Sequence, residues 1–72
     1  MDEVLVRQQK EILWELVEEL PEPEREVLAL RYVHGLKYAE IAVYMDRTED
    51  ACKNLHYRAM QKLRERAVQK GL

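Results

Sequence analysis

Two prolines within three residues, Pro21 and Pro23, set the first limit on what this chain can fold into. Each lacks a backbone N–H and disfavours the α region for the residue before it, so no helix runs unbroken through Leu20-Pro21-Glu22-Pro23. On both sides of this break the apolar residues recur at steps of three and four, the period of an amphipathic helix. Leu5, Ile12, Leu16 and Leu20, widened by Leu13 and Val17, predict a helix over about 2–20 with an acidic outer face. Proline suits the first turn of a helix, and Glu22, Glu24 and Glu26 complement the positive end of its dipole. A second helix is therefore expected over about 22–34, with Val27, Leu28, Leu30 and Val33 inward.

Gly35 ends that helix, because glycine takes the left-handed conformation that closes a helix most easily. Tyr38 to Met45 is long enough for only two turns, with Ala39, Ile41, Ala42 and Met45 as its apolar side. A helix that short is unstable alone and must be packed. Asp46-Arg47 makes a turn, and Thr48 can cap the next helix by accepting from the N–H of Asp50 or Ala51. From there the stripe Cys52, Leu55, Ala59, Leu63 and Ala67 predicts a long helix over about 48–69, closed at Gly71. The fold class is all-α: a four-helix domain with a C-terminal helix-turn-helix over about Gly35 to Lys70.

With 72 residues the chain makes one domain, and a chain this short buries only about 60 % of its unfolded surface. One cysteine, Cys52, makes no internal disulfide, and no Cys/His cluster has zinc-site spacing. No apolar run approaches the roughly 20 residues that span a bilayer, and Met1-Asp2-Glu3 does not open a signal segment, so the cytoplasm is expected. The formal net charge of −2 conceals a split. Residues 1–24 carry eight acids against two bases, a net of −6, whereas from Arg47 onward seven bases face three acids, a net of +4. Such asymmetry hints at a polyanion partner for the basic end.

The start of the long helix carries the candidate site. Glu49, Asp50, Lys53, Asn54, Tyr57 and Arg58 fall off the apolar stripe at steps of three or four, so they project together. Asn54 can pair with adenine edges, Lys53 or Arg58 with guanine or phosphate, and Glu49 or Asp50 can accept from cytosine N4. Lys37 and Tyr38, at the start of the preceding helix, are candidates for holding phosphates, and Thr48 begins the recognition helix.

Several spaced blocks agree with one known pattern. Leu20-Pro21, then Arg25 through Val33, Gly35-Leu36, Tyr38-Ala39-Glu40-Ile41-Ala42, Thr48 through Lys53, Arg58-Ala59 and Leu63-Arg64-Glu65 resemble region 4 of bacterial sigma factors, especially the extracytoplasmic-function group. The likeness covers roughly Leu13 to Arg66. It implies a four-helix domain that reads the minus-35 promoter element through the major groove and docks on the flap of the RNA polymerase β subunit. It also implies an anti-sigma factor that covers the same surfaces in many relatives, and a longer protein whose minus-10 domain would precede Met1. Five positions at three places depart from the family habit: Lys37 stands where a serine cap is common, Asp46-Arg47 where a glycine and an aliphatic are, and Leu55-His56 where an arginine and a leucine are.

Other readings of the same residues are blander. Cys52 and His56, four apart on a helix, are two ligands and not a metal site, so the thiol is read as buried. His34 is read as a helix C-terminal residue, and no Ser/His/Asp set or carboxylate pair suggests an enzyme or a cofactor. Lys62, Arg64, Arg66 and Lys70 are either a solvated face or phosphate contacts. Trp14 packs between the first helix and the rest, or anchors a protein partner, and Val27, Leu30 and Tyr44 share that ambiguity. Two rival functions remain at this point: the DNA-binding output domain of a response-regulator activator, and a helical protein-interaction module in which DNA is incidental.

Overall fold

Helix forms wherever the three-and-four spacing runs, and it breaks where proline, glycine and Asp46 interrupt it. The computed structural model describes residue Glu11 and residues 13–71. Leu5, Ile12 and the stretch 2–10 of the first expected helix lie outside the described residues. Among the described residues the chain is all-α, with four helices and no strand.

Helix α1 is α-helical over residues 13–18. It then tightens, with Glu19 N–H donating to Leu16 O at 3.1 Å and Leu20 N–H to Val17 O at 3.0 Å. These bonds span three residues instead of four, which is how a helix end facing a proline satisfies its last carbonyls. Helix α2, Glu22–Leu28, starts with its prolines at the permitted edge, and Arg25 N–H donates to Pro21 O at 3.0 Å.

The second helix does not stay α-helical to residue 34. Ala29–Val33 form a π-turn, in which His34 N–H donates to Ala29 O at 3.2 Å. Leu36 N–H then reaches Leu30 O at 3.0 Å across Gly35, whose φ is +67°. A wider turn rotates its last residues away from the α-helical stripe. Val33, expected inward, is accordingly 63 % exposed.

Helix α3 spans Tyr38–Met45. Lys37 at its start offers no acceptor side chain, and only the return half of a capping box forms, Lys37 N–H donating to Glu40 Oε1 at 3.0 Å. A missing cap costs about 1 kcal/mol. Ile41, 0 % exposed, more than offsets it, since fully burying an isoleucine is worth about 1.5–3 kcal/mol. Ala42 is buried beside it, while Ala39, expected inward, is exposed.

Asp46 takes the left-handed conformation, φ 54° and ψ 49°. Arg47 N–H donates to Ala42 O at 2.9 Å and Asp46 N–H to Val43 O at 3.3 Å. This pair of bonds is the Schellman closure that usually recruits glycine, and aspartate is among the residues that tolerate it. Arg47 is exposed, as a cation at that place must be. Thr48 then caps helix α4, Glu49–Gln69, its Oγ1 accepting from Ala51 N–H at 3.0 Å.

The 21 residues of α4 form the spine against which the other elements pack. One core cluster joins Leu16, Val17 and Leu20 of the first segment to Leu28, Ala59 and Leu63. The other joins Val27 and Leu30 to Ile41, Ala42 and Cys52, with Leu36, Met45 and Leu55 at its margin. Adjacent residues of α2, Val27 and Leu28, therefore face different clusters and tie the helix-turn-helix to the N-terminal segment.

Candidate nucleic-acid interface

Because α4 buries Cys52, Ala59 and Leu63, the 3.6-residue period turns the opposite side outward. Glu49, Asp50, Lys53, Asn54, Tyr57 and Arg58 are all exposed. The face changes sign along its length: two acids complement the dipole at the first turn, and Lys53 and Arg58 follow one and two turns later. Tyr57 is held along this face, its hydroxyl accepting from Gln61 Nε2 at 3.0 Å.

Lys37 is exposed at the start of α3, while Tyr38 is half-buried. Two cations lie over the Tyr38 ring. Arg31 Cζ is 4.7 Å from its centroid and Lys53 Nζ is 5.9 Å away, both within reach of the negative ring face. Its hydroxyl bonds His56 Nδ1, and the other ring nitrogen, Nε2, bonds the Tyr32 hydroxyl at 2.8 Å. Arg31 is itself anchored, Nη1 donating to Leu36 O at 3.0 Å. Burial, and secondarily the Arg31 guanidinium, push the His56 imidazole below the ordinary histidine range. Arg31, Tyr32 and His56 were not among the residues that sequence reasoning singled out for the site. The local signal of His56 is a polar side chain set close to the apolar stripe of α4, whereas Arg31 and Tyr32 meet it from the π-turn.

Two acids of the N-terminal half pair with cations of α4. Lys62 Nζ donates to both oxygens of Glu24, at 2.9 and 3.0 Å, and Arg66 Nη1 donates to Glu19 Oε2 at 3.1 Å. Both pairs involve the second half of α4. Among the described residues no carboxylate forms an ion pair with Lys53 or Arg58. Both of these cations are exposed.

Cys52 is buried, and that burial raises its thiol above the usual range; Arg47 opposes the shift and Glu49 adds to it. Among the described residues no group of three potential ligands is placed to hold a metal ion. No helix of the described residues is long and apolar enough to cross a membrane.

On the N-terminal side, the described residues leave an open apolar cleft of about 440 Å³, lined by Trp14, Val17, Leu28, Tyr32, Met60 and Leu63. Trp14, at 41 % exposure, lies on its wall with one side uncovered.

Comparison with known proteins agrees with this geometry. The family described as sigma-70, region 4 matches residues 10–63. The chain is 40 % identical over 57 residues to the ECF RNA polymerase sigma factor SigD of Mycobacterium bovis, and equally to those of two Mycobacterium tuberculosis strains. The aligned stretch is 79 % of this chain but 27 % of each relative, so the chain spans about a quarter of their length. No solved structure matches it. A two-turn helix, a closed turn and a long helix with an outward cationic start, together with a family match over most of its length, make this chain a member of the sigma-70 region 4 family.

Proposed function

We propose that this chain is the promoter-binding domain of an extracytoplasmic-function sigma factor, and that it helps direct RNA polymerase to promoters by binding the minus-35 element. The observation that carries the reading is the exposed cationic start of α4: among the described residues Lys53 and Arg58 meet no carboxylate, while Glu24 and Glu19 of the N-terminal half pair with Lys62 and Arg66. In this reading α4 enters the major groove. Asn54 meets adenine edges, Lys53 and Arg58 meet guanine or phosphate, and Glu49 or Asp50 accepts from cytosine N4 and disfavours other bases there. Lys37, with the backbone N–H groups at the start of α3, holds a phosphate that sets the register, and Thr48 keeps the recognition helix capped. Tyr38 contributes by shaping this corner, and Tyr57 lies along the groove wall.

The role is binding, not catalysis, and it belongs in the cytoplasm with the DNA. The net charge of −2 makes isolated binding weak, but tethering to polymerase raises the effective concentration at the promoter. The uncovered cleft around Trp14 suits an apolar helix of a protein partner, with the polymerase β flap as the first candidate and an anti-sigma factor as a competitor for it. The relation to SigD favours a sigma factor over a response-regulator output domain.

The test is fluorescence anisotropy of a labelled promoter duplex with the wild-type chain, Lys53→Ala and Arg58→Ala. Weaker binding in each variant supports the reading. Unchanged binding in both, or amide shifts on adding duplex confined to α1 and the cleft, would instead favour a pure protein-interaction module.

A further inference from the structure

A histidine stands at position 56, beside the apolar stripe of the recognition helix, and both of its ring nitrogens are used. Nδ1 bonds the Tyr38 hydroxyl in the first turn of α3, and Nε2 bonds the Tyr32 hydroxyl in the π-turn at 2.8 Å. The three rings pack as well as bond: the centroid of His56 lies 5.6 Å from that of Tyr32 and 5.8 Å from that of Tyr38, tilted in both cases. One side chain of α4 therefore ties two elements that precede it in the chain.

The chemistry of the contact is selective. A neutral imidazole has one N–H and one bare nitrogen, and a tyrosine hydroxyl both donates and accepts. Both bonds form together only when one tyrosine donates to the bare nitrogen and the other accepts from the N–H. An aliphatic residue at this place would pack but would leave both hydroxyls without these partners. The charged groups facing the imidazole are Arg31 from the π-turn and, across the Tyr38 ring, Lys53 from α4. Burial and Arg31 disfavour the charged form, in which both ring nitrogens would donate and both hydroxyls would have to accept.

We propose that His56 is a positioning residue for the DNA-binding face: by holding the Tyr38 ring that Arg31 and Lys53 both contact, it sets where Lys53 stands relative to the start of α3. The inference rests on the DNA-binding reading above. The π-turn gives this arrangement its form, since it carries both Arg31 and Tyr32 and so presents a cation and a hydroxyl to the same pair of rings. Without the clamp, Lys53 is a flexible cation on an exposed helix face; with it, Lys53 stays over the Tyr38 ring at the start of α3.

The clamp and its consequence are tested separately. Ring ¹⁵N chemical shifts of His56 in the free chain, followed against pH, report the clamp without any DNA. The expected result is a single neutral tautomer that titrates below an ordinary histidine, and a change in tautomer balance in Tyr38→Phe and Tyr32→Phe. An imidazole that averages its tautomers and titrates identically in all three proteins would overturn the clamp. Anisotropy with a promoter duplex then reads the consequence. His56→Leu, with folding checked by circular dichroism, is expected to weaken binding about 3- to 10-fold, roughly the worth of one hydrogen-bonded contact. Tyr38→Phe should weaken it too, and the double variant should bind no worse than the weaker single. Unchanged binding in the single variants, or fully additive losses, would overturn the positioning role. Tyr38→Phe removes only a hydroxyl, so it decides the matter even if His56→Leu fails to fold. Should the wild type bind no duplex while the ¹⁵N result holds, it is the DNA-binding reading that has failed and the clamp that remains.

Discussion

Lys62 reaches back 38 residues to Glu24, its Nζ lying 2.9 Å from one carboxylate oxygen and 3.0 Å from the other. The two partners are not equivalent. Glu24 is 5 % exposed, whereas the Lys62 side chain is 40 % exposed and can turn to water. Removing the lysine strands a buried carboxylate, and removing the carboxylate leaves a cation with access to solvent. Lys62→Met is therefore expected to destabilise by about 1–3 kcal/mol, the cost of an unsatisfied buried group. Glu24→Gln should cost less, as urea unfolding midpoints would reveal; a larger loss in Glu24→Gln would contradict the asymmetry.

The ion pairs also divide the cations of α4 by task. Arg66 is occupied by Glu19, while Arg58 has no carboxylate partner among the described residues. If Arg58 contacts a phosphate, Arg58→Ala should reduce the slope of log K against log salt by about one, and Arg66→Ala should leave it nearly unchanged. Equal slopes in the two variants would mean that the charge map does not predict the contact surface.

The turn between α3 and α4 rests on a non-glycine residue with positive φ. Asp46→Ala removes a side chain that tolerates this conformation and should cost about 1 kcal/mol, lowering the thermal midpoint by roughly 4–8 °C in a domain this small. Asp46→Gly should be close to neutral, because relief of the left-handed conformation is offset by the extra freedom of glycine in the unfolded chain. Scanning calorimetry of the two variants checks the order.

His56 links stability to pH. Its imidazole is held below the ordinary range in the folded chain, so the unfolded chain binds the proton more readily. Folding stability is then greatest above the ordinary histidine pKa of about 6.5 and falls as pH drops through that value toward the lower folded one. His56→Leu should flatten this segment of the stability curve. Denaturant titrations between pH 7.5 and about 5.5 cover the window, and an unchanged slope in the variant would exclude His56 as its source.

The Cys52 thiol is buried and its ionisation is disfavoured chiefly by that burial. A thiol-directed reagent at mildly alkaline pH should react far more slowly with the folded chain than with the urea-unfolded one, because the thiolate is the reactive form. Comparable rates in the two states would place the thiol at the surface.

Much of this molecule is legible in its sequence because the governing forces act within a turn or two. Pro21 and Pro23 end one helix and open the next through donors they lack, Gly35 and Asp46 close helices through left-handed backbone, and Thr48 caps its neighbour three residues on. The outward placement of Lys53, Asn54 and Arg58 follows from the same local period, once Cys52, Ala59 and Leu63 are recognised as the inward side. What the sequence left open lies between elements. The π-turn that carries Val33 outward, the pairing of Glu19 with Arg66 across 47 residues, and the meeting of His56 with Tyr38 and Tyr32 across 18 and 24 depend on how the helices cross. Crossing geometry is set by the summed packing of two core clusters on one long helix, and no short stretch of residues contains that sum.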